Sequence, residues 1–380
     1  MKLKKRLASF VVAGIMSAVS CVSLASSAVT QHLKYDANGD GEVGLADAVY
    51  VQQYLGGAFE PENLDLCDVD RNGIVSEMDV RKIQYNCMGM LDKKGELVDD
   101  NDNNANTVNS DATYRVYKAQ TRIPLPDYKL PKLNSSNNSK SVIGEEDRVI
   151  DWTKSGVVKL MDDHNYLGTG FVVGDHVIAT AAHCLYDYTG AMPNRVTEIL
   201  LFDSNGKKVM SATPVESHIP EAFINEVDKE RDYVNESDYA LITVKEDLRA
   251  YKNFSLGVPL KSFDDSHSVV TVTGFPATVE KNGKEEKVNN HITHMMYSGN
   301  GPIYNGDDKL IQYTADTSGG NSGGPVYITE SYNENTYYTV VGINVAHPSE
   351  DDVDYKKYNI GTRMTTDLIH FYNNNPNIKW

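Results

Sequence analysis

The sequence is poor in cysteine and in basic residues, and it contains no long uncharged apolar run. Its 380 residues include only 4 cysteines, and one of these, Cys21, lies in the amino-terminal leader. So few cysteines exclude a fold that is held together mainly by disulfides. The formal net charge of −17 argues against a nucleic-acid-binding protein. A helix needs about 20 mostly apolar residues to span a membrane, and no segment after the amino-terminal leader supplies such a run.

The first 28 residues predict a secretory signal peptide rather than a part of the fold. Basic residues at the start precede a short apolar stretch, Phe10–Leu24, and Ser26-Ser27-Ala28 supplies small residues for cleavage. A lipid anchor on Cys21 is the alternative, but Ala18-Val19-Ser20 before it fits that signal poorly. We therefore expect an exported protein that is soluble outside the cell.

Two copies of one loop pattern lie between residues 36 and 89, and Asp68 follows its counterpart Asp36 by 32 residues. Oxygen-bearing side chains occupy positions 1, 3, 5 and 12 of each loop, and glycine occupies position 6. Ca²⁺ prefers oxygen ligands, the glycine permits the sharp turn, and position 7 contributes a main-chain carbonyl. One such loop could be a solvated acidic turn, but two at a fixed spacing predict two calcium ions. The predicted ligands are Asp36, Asn38, Asp40, Glu42 and Asp47 in the first copy, and Asp68, Asp70, Asn72, Ile74 and Asp79 in the second.

Each loop leads into a helical pattern, Ala46–Leu55 or Met78–Cys87, and closes with aspartate rather than glutamate. With these features, residues 32–92 resemble type I dockerins. The resemblance implies a small all-α, three-helix module that calcium folds and that docks onto a cohesin domain of a scaffoldin. Recognition in that family falls on loop positions 10 and 11 and on the following helix. The corresponding residues are Leu45, Ala46, Gln52 and Gln53 in the first copy, and Glu77, Met78, Gln84 and Tyr85 in the second. A stabilising calcium clip without a partner is the alternative.

Apolar periodicity stops between residues 93 and 140, where two polar runs flank a segment with Pro124, Pro126 and Pro131. Nothing in this stretch could bury a core, so its composition predicts a linker between the calcium-binding repeat and residues 141–380.

Three short stretches in residues 141–380 carry side chains for hydrolytic chemistry. Ser322 lies in a glycine-flanked turn, where a substrate backbone can approach and the N–H groups of Gly320 and Ser322 can face a developing oxyanion. A serine hydroxyl is a weak nucleophile without a base, and His183 could take its proton. Asp238 opens an apolar strand pattern and could hold the imidazole in one tautomer. The order His183, Asp238, Ser322 is the order used on double β-barrels.

Short apolar runs separated by turn residues predict an all-β fold for residues 141–380, with a helical pattern at Thr365–Tyr372. These strands and the residue order make residues 141–380 resemble trypsin-fold serine proteases. The resemblance implies two antiparallel β-barrels, a triad in the cleft between them, and catalysis without a cofactor. Animal members pair the cysteine beside the histidine with a cysteine in the preceding strand. Leu167 occupies that position here, so we expect Cys184 to be a free, buried thiol.

Weaker signals bear on specificity. Asp316 lies six residues before Ser322, where an aspartate selects Lys or Arg in trypsin, but Asp316-Thr317 also resembles glutamyl endopeptidases. That group has a histidine directly after a Gly-Ile strand end, whereas Asn344 stands there in this sequence and His347 follows three residues later. We expect these four residues to line the substrate pocket. Acidic residues before the scissile bond are the first expectation, and small or polar ones the second.

The stretch Ser141-Val-Ile-Gly-Glu-Glu-Asp-Arg148 is similar to the mature amino terminus of bacterial glutamyl endopeptidases, which are made with a propeptide. The resemblance favours cleavage next to Lys140 or Ser141, so that the new α-amine becomes part of the site and the dockerin is severed. A linker that is never cut is the alternative.

The sequence thus predicts a multidomain protein with four segments: a signal peptide (1–28), a dockerin (32–92), a linker or propeptide (93–140) and a trypsin-like protease domain (141–380). We expect a secreted serine endopeptidase, tethered to a scaffold complex that could lie on a cell surface. The alternative is a protease fold that binds without cutting.

Overall fold

The structure is a computed structural model that describes ten stretches of the chain. They are residues 33–87, 91, 140–162, 166–186, 196–220, 222–223, 236–264, 266–332, 335–347 and 357–373. The predicted signal peptide and nearly all of the predicted linker lie outside these stretches. Among the described residues, no helix is both long and apolar enough to cross a bilayer.

The calcium-binding repeat forms two packed helices, α1 (Leu45–Leu55) and α2 (Glu77–Cys87). Each begins where the loop's last aspartate caps it, since Asp47 Oδ2 accepts the N–H of Gly44 at 2.8 Å and Asp79 Oδ2 accepts that of Ser76 at 2.8 Å. A single 3₁₀ turn, Leu64–Leu66, stands in place of the third helix that the resemblance implied. A two-residue strand, β1 (Ile74–Val75), lies inside the second loop.

The first half of residues 141–380 forms a seven-stranded antiparallel sheet whose five central strands are mostly buried. Its strands, in the order in which they pair, are β8 (Lys208–Ala212), β7 (Glu198–Phe202), β4 (Val157–Met161), β5 (Tyr166–Gly174), β6 (Val177–Thr180), β10 (Ala240–Val244) and β9 (Pro214–His218).

The second half forms a closed antiparallel ring of six strands, because its last strand pairs with its first. In pairing order they are β20 (Asn335–Ala346), β19 (Pro325–Tyr332), β13 (Val269–Gly274), β16 (Tyr297–Gly306), β17 (Leu310–Tyr313) and β21 (Asn359–Arg363). We call this ring the second barrel. Two short strands join its rim, β11 (Phe254–Leu256) beside β20 and β3 (Val149–Ile150) beside β16.

The remaining elements are short. A hairpin joins β14 (Thr278–Lys281) to β15 (Lys284–Lys287). Its turn is Asn282-Gly283, whose φ angles of 53° and 72° suit a tight two-residue hairpin. Two helices, α3 (Lys261–Asp264) and α4 (Thr366–Asn373), complete the described elements that lie outside the sheets. The all-β, trypsin-like class predicted for this region is confirmed.

The calcium-binding repeat also contacts the second barrel, which the sequence did not predict. Its strand β1 pairs antiparallel with β12 (Val258–Pro259), which immediately precedes α3. Both belong to the same compact unit of the chain, which begins at Leu33.

Candidate active site and calcium loops

Ser322 lies on a tight loop between β18 (Thr317–Ser318) and β19. Asn321 N donates to Ser318 O at 3.0 Å, and Asn321 Oδ1 accepts the N–H of Ser318 at 3.1 Å, so the loop closes on itself. Gly323, with a φ of 82°, follows the serine, and a Cβ there would lie 2.2 Å from Thr169 O. The loop therefore requires glycine after the serine for both conformation and space.

Two hydroxyl groups hold the backbone just before Ser322. Gly320 O accepts hydrogen bonds from Tyr166 Oη at 2.5 Å and from Thr169 Oγ1 at 2.7 Å. Thr169 Oγ1 in turn accepts the N–H of Phe275 at 3.0 Å. Within the described part of the chain, the N–H groups of Gly320 and Ser322 donate to no acceptor. Side chains of the first sheet thus hold the Ser322 loop in place. The N–H groups of Gly320 and Ser322 remain available to a substrate.

His183 and Asp238 are brought together by the first sheet. His183 lies in the 3₁₀ turn Ala182–Cys184 that follows β6, and Asp238 lies two residues before β10, which pairs with β6. Asp238 Oδ2 lies 2.6 Å from His183 Nδ1, and Asp238 Oδ1 accepts the backbone N–H of His183 at 3.0 Å. Burial disfavours the imidazolium, but the nearby Asp238 carboxylate outweighs it and raises the pKa of His183 well above its ordinary value.

Ser322 lies beside the residue that follows His183. Its carbonyl accepts the N–H of Thr169 at 2.8 Å and the thiol of Cys184 at 3.5 Å. Among the described residues, Ser322 Oγ has no hydrogen-bond partner, which is common before substrate binds. Cys184 is free and buried, as predicted. A Cβ at Gly168 would lie 2.7 Å from its sulfur, so glycine is needed for this close approach.

Asp316 does not line an open pocket. It is only 2% exposed, and its carboxylate accepts the N–H groups of Ile143 at 2.7 Å and of Asp147 at 3.3 Å. Burial raises its pKa to about 6. The sequence placed Asp316 in the pocket from its distance to Ser322, but the carboxylate instead anchors the start of the protease domain.

The other three expected pocket residues differ in accessibility. Thr317 is buried in β18, and Asn344 is buried with its Oδ1 accepting the hydroxyl of Tyr313 at 2.7 Å. The backbone of Asn344 also accepts the N–H of Gly323 at 2.8 Å, so this residue supports the Ser322 loop. His347, just after β20, is partly exposed.

The predicted cleavage position lies close to this loop. Residues Lys140–Ser141 form β2, which pairs antiparallel with β18 in the register Thr317↔Ser141 and Ser318↔Lys140. The backbone around the candidate cleavage position therefore runs along the strand that leads into the Ser322 loop.

The second calcium loop gathers three carboxylates. Ligand oxygens of Asp68, Asp70 and Asp79 all lie within 4.8 Å of one another. Burial, with the neighbouring carboxylates, raises the pKa of Asp68 to about 6 and that of Asp79 well above its ordinary value. Lys82 contacts one edge of the cluster, 2.8 Å from Asp70 Oδ2. Gly73, at position 6, has the φ of 84° that the sharp turn requires. This donor set fits Ca²⁺, whose charge removes the repulsion between the acids.

The first loop fits calcium as well. Asp36 Oδ1 is buried and has no hydrogen-bond partner among the described residues, while Asp36 Oδ2 accepts the N–H of Gly41 at 3.0 Å. An unpaired buried carboxylate oxygen is costly unless a cation or donor meets it. Asp47 Oδ1 accepts the N–H of Asn38 at 3.1 Å, which draws the ligands at positions 3 and 12 of the loop together.

The residues expected to contact a cohesin are not equally accessible in the two copies. Those of the first copy, Leu45, Ala46, Gln52 and Gln53, are all exposed. In the second copy Glu77 is exposed and Met78 is only 4% exposed, while Gln84 and Tyr85 are partly buried.

Comparison with known proteins supports a serine endopeptidase as the class of this protein. Residues 168–333 match the family model for the trypsin-like peptidase domain, and residues 34–84 match the dockerin type I domain. The chain is 25% identical over 235 residues to the glutamyl endopeptidase of Bacillus licheniformis, covering 60% of this chain and 67% of that protein. A solved structure of a Glu endopeptidase in complex with MPD covers 61% of this chain and 97% of its own, at 18% identity and a TM-score of 0.45.

The chain therefore combines a trypsin-like peptidase domain with a dockerin type I domain, and its similarity to a glutamyl endopeptidase supports a serine endopeptidase. A dockerin binds calcium and a cohesin, and a protease domain acts on protein substrates. These properties follow from the two domains whatever the details of the site.

Proposed function

We propose that Ser322, His183 and Asp238 hydrolyse peptide bonds as a catalytic triad. His183 takes the Ser322 hydroxyl proton as Oγ attacks the substrate carbonyl, and it returns that proton to the leaving amine. Water then repeats the sequence on the acyl-enzyme, and Ser322 is released. Asp238 keeps the imidazole in one tautomer and stabilises the imidazolium. The observation that carries this proposal is the double contact of Asp238 with His183, 2.6 Å at the ring and 3.0 Å at the backbone.

The N–H groups of Gly320 and Ser322 form the oxyanion hole in this proposal. They have no acceptor among the described residues. The hydroxyl groups of Tyr166 and Thr169, which donate to Gly320 O, hold the loop in place before substrate arrives. Losing one such donor typically costs about 3 kcal/mol of transition-state stabilisation. No cofactor is required for these steps.

We further propose that the enzyme cleaves after acidic residues. The resemblance to a glutamyl endopeptidase supports this preference. The placement of Asp316 supports it by exclusion, since a carboxylate that is 2% exposed and bonded to two main-chain N–H groups is a poor partner for Lys or Arg. Among the four expected pocket residues, His347 at the end of β20 is the partly exposed one, and an imidazole can bind a substrate carboxylate.

We propose that the dockerin, residues 32–92, holds two structural calcium ions and docks onto a cohesin of an extracellular scaffoldin. The exposed face of the first copy is its contact surface, since all four of its expected contact residues are exposed, whereas Met78 of the second copy is buried and Gln84 and Tyr85 are partly buried. Secretion through a signal peptide at residues 1–28 and a linker or propeptide at residues 93–140 complete the proposed organisation.

Maturation belongs to the same proposal. Cleavage beside Lys140 or Ser141 creates a new α-amine at the start of the protease domain, residues 141–380. The pairing of Lys140–Ser141 with β18 supports a link between this position and the site. Amino-terminal sequencing of the active protein tests it, and an active form that keeps residues before 141 contradicts it.

Mapping cleavage sites by mass spectrometry on a mixed protein digest tests the catalytic proposal, with the Ser322→Ala variant as control. Cuts after Glu or Asp that vanish in the variant are the expected result. Cuts after Lys or Arg would return the selecting role to Asp316. If the wild-type chain cuts nothing with calcium present and residues before 141 removed, the fold serves as a binding module instead.

A further inference from the structure

The second calcium loop is joined to the protease domain by main-chain hydrogen bonding. Its strand β1 pairs antiparallel with β12 in the register Ile74↔Pro259 and Val75↔Val258. One residue earlier, Gly73 O accepts the N–H of Leu260 at 2.7 Å. These hydrogen bonds fix the backbone of the loop in one register against the protease domain. A module that is only tethered by a linker would have no such register.

Side-chain packing also joins the second calcium loop to the protease domain. Ile74 has no exposed surface and belongs to the apolar cluster that fills the second barrel, together with Phe263, Val270 and Val341. In a calcium loop, position 7 contributes its carbonyl to the ion, so its side chain is available for another contact. The same position of the first copy is Glu42, which is exposed. The two copies therefore differ at the position where one touches the barrel.

Polar and close-packed contacts extend the interface. Asn72 Nδ2 donates to Glu330 Oε1 at 3.0 Å, and Glu330 Oε2 accepts the hydroxyl of Thr339 at 3.0 Å. The guanidinium of Arg81, on α2, lies 5.0 Å from the ring centroid of Tyr337. All these partners come from strands β19 and β20, so the second copy contacts the wall of the barrel and not only its rim.

We propose that the second calcium loop is a calcium-dependent dock that holds the dockerin on the second barrel, even after the chain between them is cut. Three carboxylates lie within 4.8 Å of one another, with Lys82 at Asp70, and a bound Ca²⁺ would offset the repulsion that remains and hold the loop closed. Ile74 and Asn72 stand between two of these acids in the loop, so opening the loop withdraws both from the barrel. Cleavage beside residue 140 then changes the covalent connection while the dockerin remains attached.

The test uses the full chain with Ser322→Ala and a recognition site for a sequence-specific protease inserted in the linker. After the cut, size-exclusion chromatography shows whether the dockerin fragment elutes with the protease fragment. We expect one complex in millimolar CaCl₂ and two separate fragments in EGTA. If calcium binds the docked loop about 100 times more tightly than the released loop, linkage predicts that chelation weakens the complex by up to about 100-fold.

A matched pair of variants separates docking from calcium binding. Ile74→Ala and Glu42→Ala both alter position 7 and keep its main-chain carbonyl. We expect Ile74→Ala to release the dockerin fragment in calcium and Glu42→Ala to retain it. Calorimetric titration with CaCl₂ checks that both variants still bind calcium, and Ile74→Val provides a milder change at the same position if Ile74→Ala fails to fold.

Separation of the fragments in calcium would overturn the dock, and co-elution in EGTA would overturn its calcium dependence. Equal release by both position 7 variants would mean that the effect comes from loss of the calcium loops. None of these readouts uses catalysis, so a protein without peptidase activity can still satisfy the inference, and an active one can contradict it.

Discussion

His183 and Asp238 set the pH range in which the proposed base works. Because the Asp238 carboxylate raises the pKa of His183 above its ordinary value of 6.5, the imidazole is protonated and inactive below that higher pKa. We expect kcat/KM to fall as pH falls, with a midpoint above 6.5. Asp238→Asn removes the charge that raises the pKa, so the midpoint should move to lower pH and kcat should fall by about 10⁴-fold.

The pH profile of kcat/KM measures both effects. Thr362→Val is a suitable control, since Thr362 Oγ1 donates to the backbone carbonyl of Asp238 at 3.2 Å and leaves the carboxylate alone. This variant should keep the parent midpoint. A parent midpoint at or below 6.5 would contradict the assignment of His183 as the base raised by Asp238.

Tyr166 holds the backbone of the loop that carries the proposed oxyanion hole. Tyr166→Phe keeps the ring, which lies against Lys159, and removes the hydroxyl that donates to Gly320 O at 2.5 Å. Loss of one hydrogen bond is worth about 1 kcal/mol, so we expect kcat to fall roughly 5- to 10-fold with KM little changed. The same variant should bind a peptide boronate or aldehyde more weakly by a similar factor, because the oxyanion hole acts on the tetrahedral state. A raised KM with unchanged kcat would point to substrate binding instead.

Residue identities in the site follow from local sequence, but their orientation does not. The glycines around Ser322, the apolar run before His183 and the strand pattern after Asp238 are short-range signals, and they coincide with a tight loop, with β6 and with β10. The carboxylate of Asp316 is different, because its direction depends on Ile143 and Asp147, far away in the chain. Distance along the sequence from Ser322 carried no information about that contact.

At the scale of elements, the buried strands lie within a few residues of the apolar runs in the sequence. Alternating apolar residues and turn residues are local signals, so they indicate where such strands begin and end. The pairing of β1 with β12 could not be predicted, since both strands are two residues long and lie in different domains. One signal was present, an isoleucine at position 7 of a loop whose other copy has an acid there. An apolar side chain at a solvated loop position indicates a covered surface.

Two glycines offer a matched test of this element. Gly73 and Gly41 both hold position 6, with φ angles of 84° and 87°. A Cβ on Gly73 would lie 2.9 Å from Phe263 N, whereas a Cβ on Gly41 meets nothing within 4 Å. Substitution by alanine at either site strains the backbone by about 1–2 kcal/mol, but only Gly73→Ala also presses against the barrel.

We therefore expect Gly73→Ala to lower the thermal midpoint of the Ser322→Ala chain in calcium more than Gly41→Ala does. Differential scanning calorimetry measures the midpoints, and hydrogen exchange of residues 258–264 locates the loss. If both variants lower the thermal midpoint equally and hydrogen exchange of residues 258–264 is unchanged, the loop does not press on the barrel in solution.

At the scale of the whole molecule, docking on the protease leaves one copy of the repeat for a partner. Ala46, at loop position 11 of the first copy, is exposed, while its counterpart Met78 in the second copy is only 4% exposed. A cohesin that uses the first copy can thus bind while the second copy stays on the barrel. The protease would then be held in a single orientation relative to its scaffold, because the two copies cannot exchange roles.

Leu45→Asp places a charge at the centre of the proposed contact face, and Glu77→Lys changes the charge of an exposed residue in the second copy. Burying an unpaired charge costs several kcal/mol, so we expect Leu45→Asp to weaken binding at least about 30-fold and Glu77→Lys to change it less than about 3-fold. Isothermal titration against purified type I cohesins, chosen as those that bind the parent chain, measures both. Binding that survives Leu45→Asp but is lost in Glu77→Lys would mean that a cohesin displaces the second copy from the barrel, and the single orientation would then be wrong.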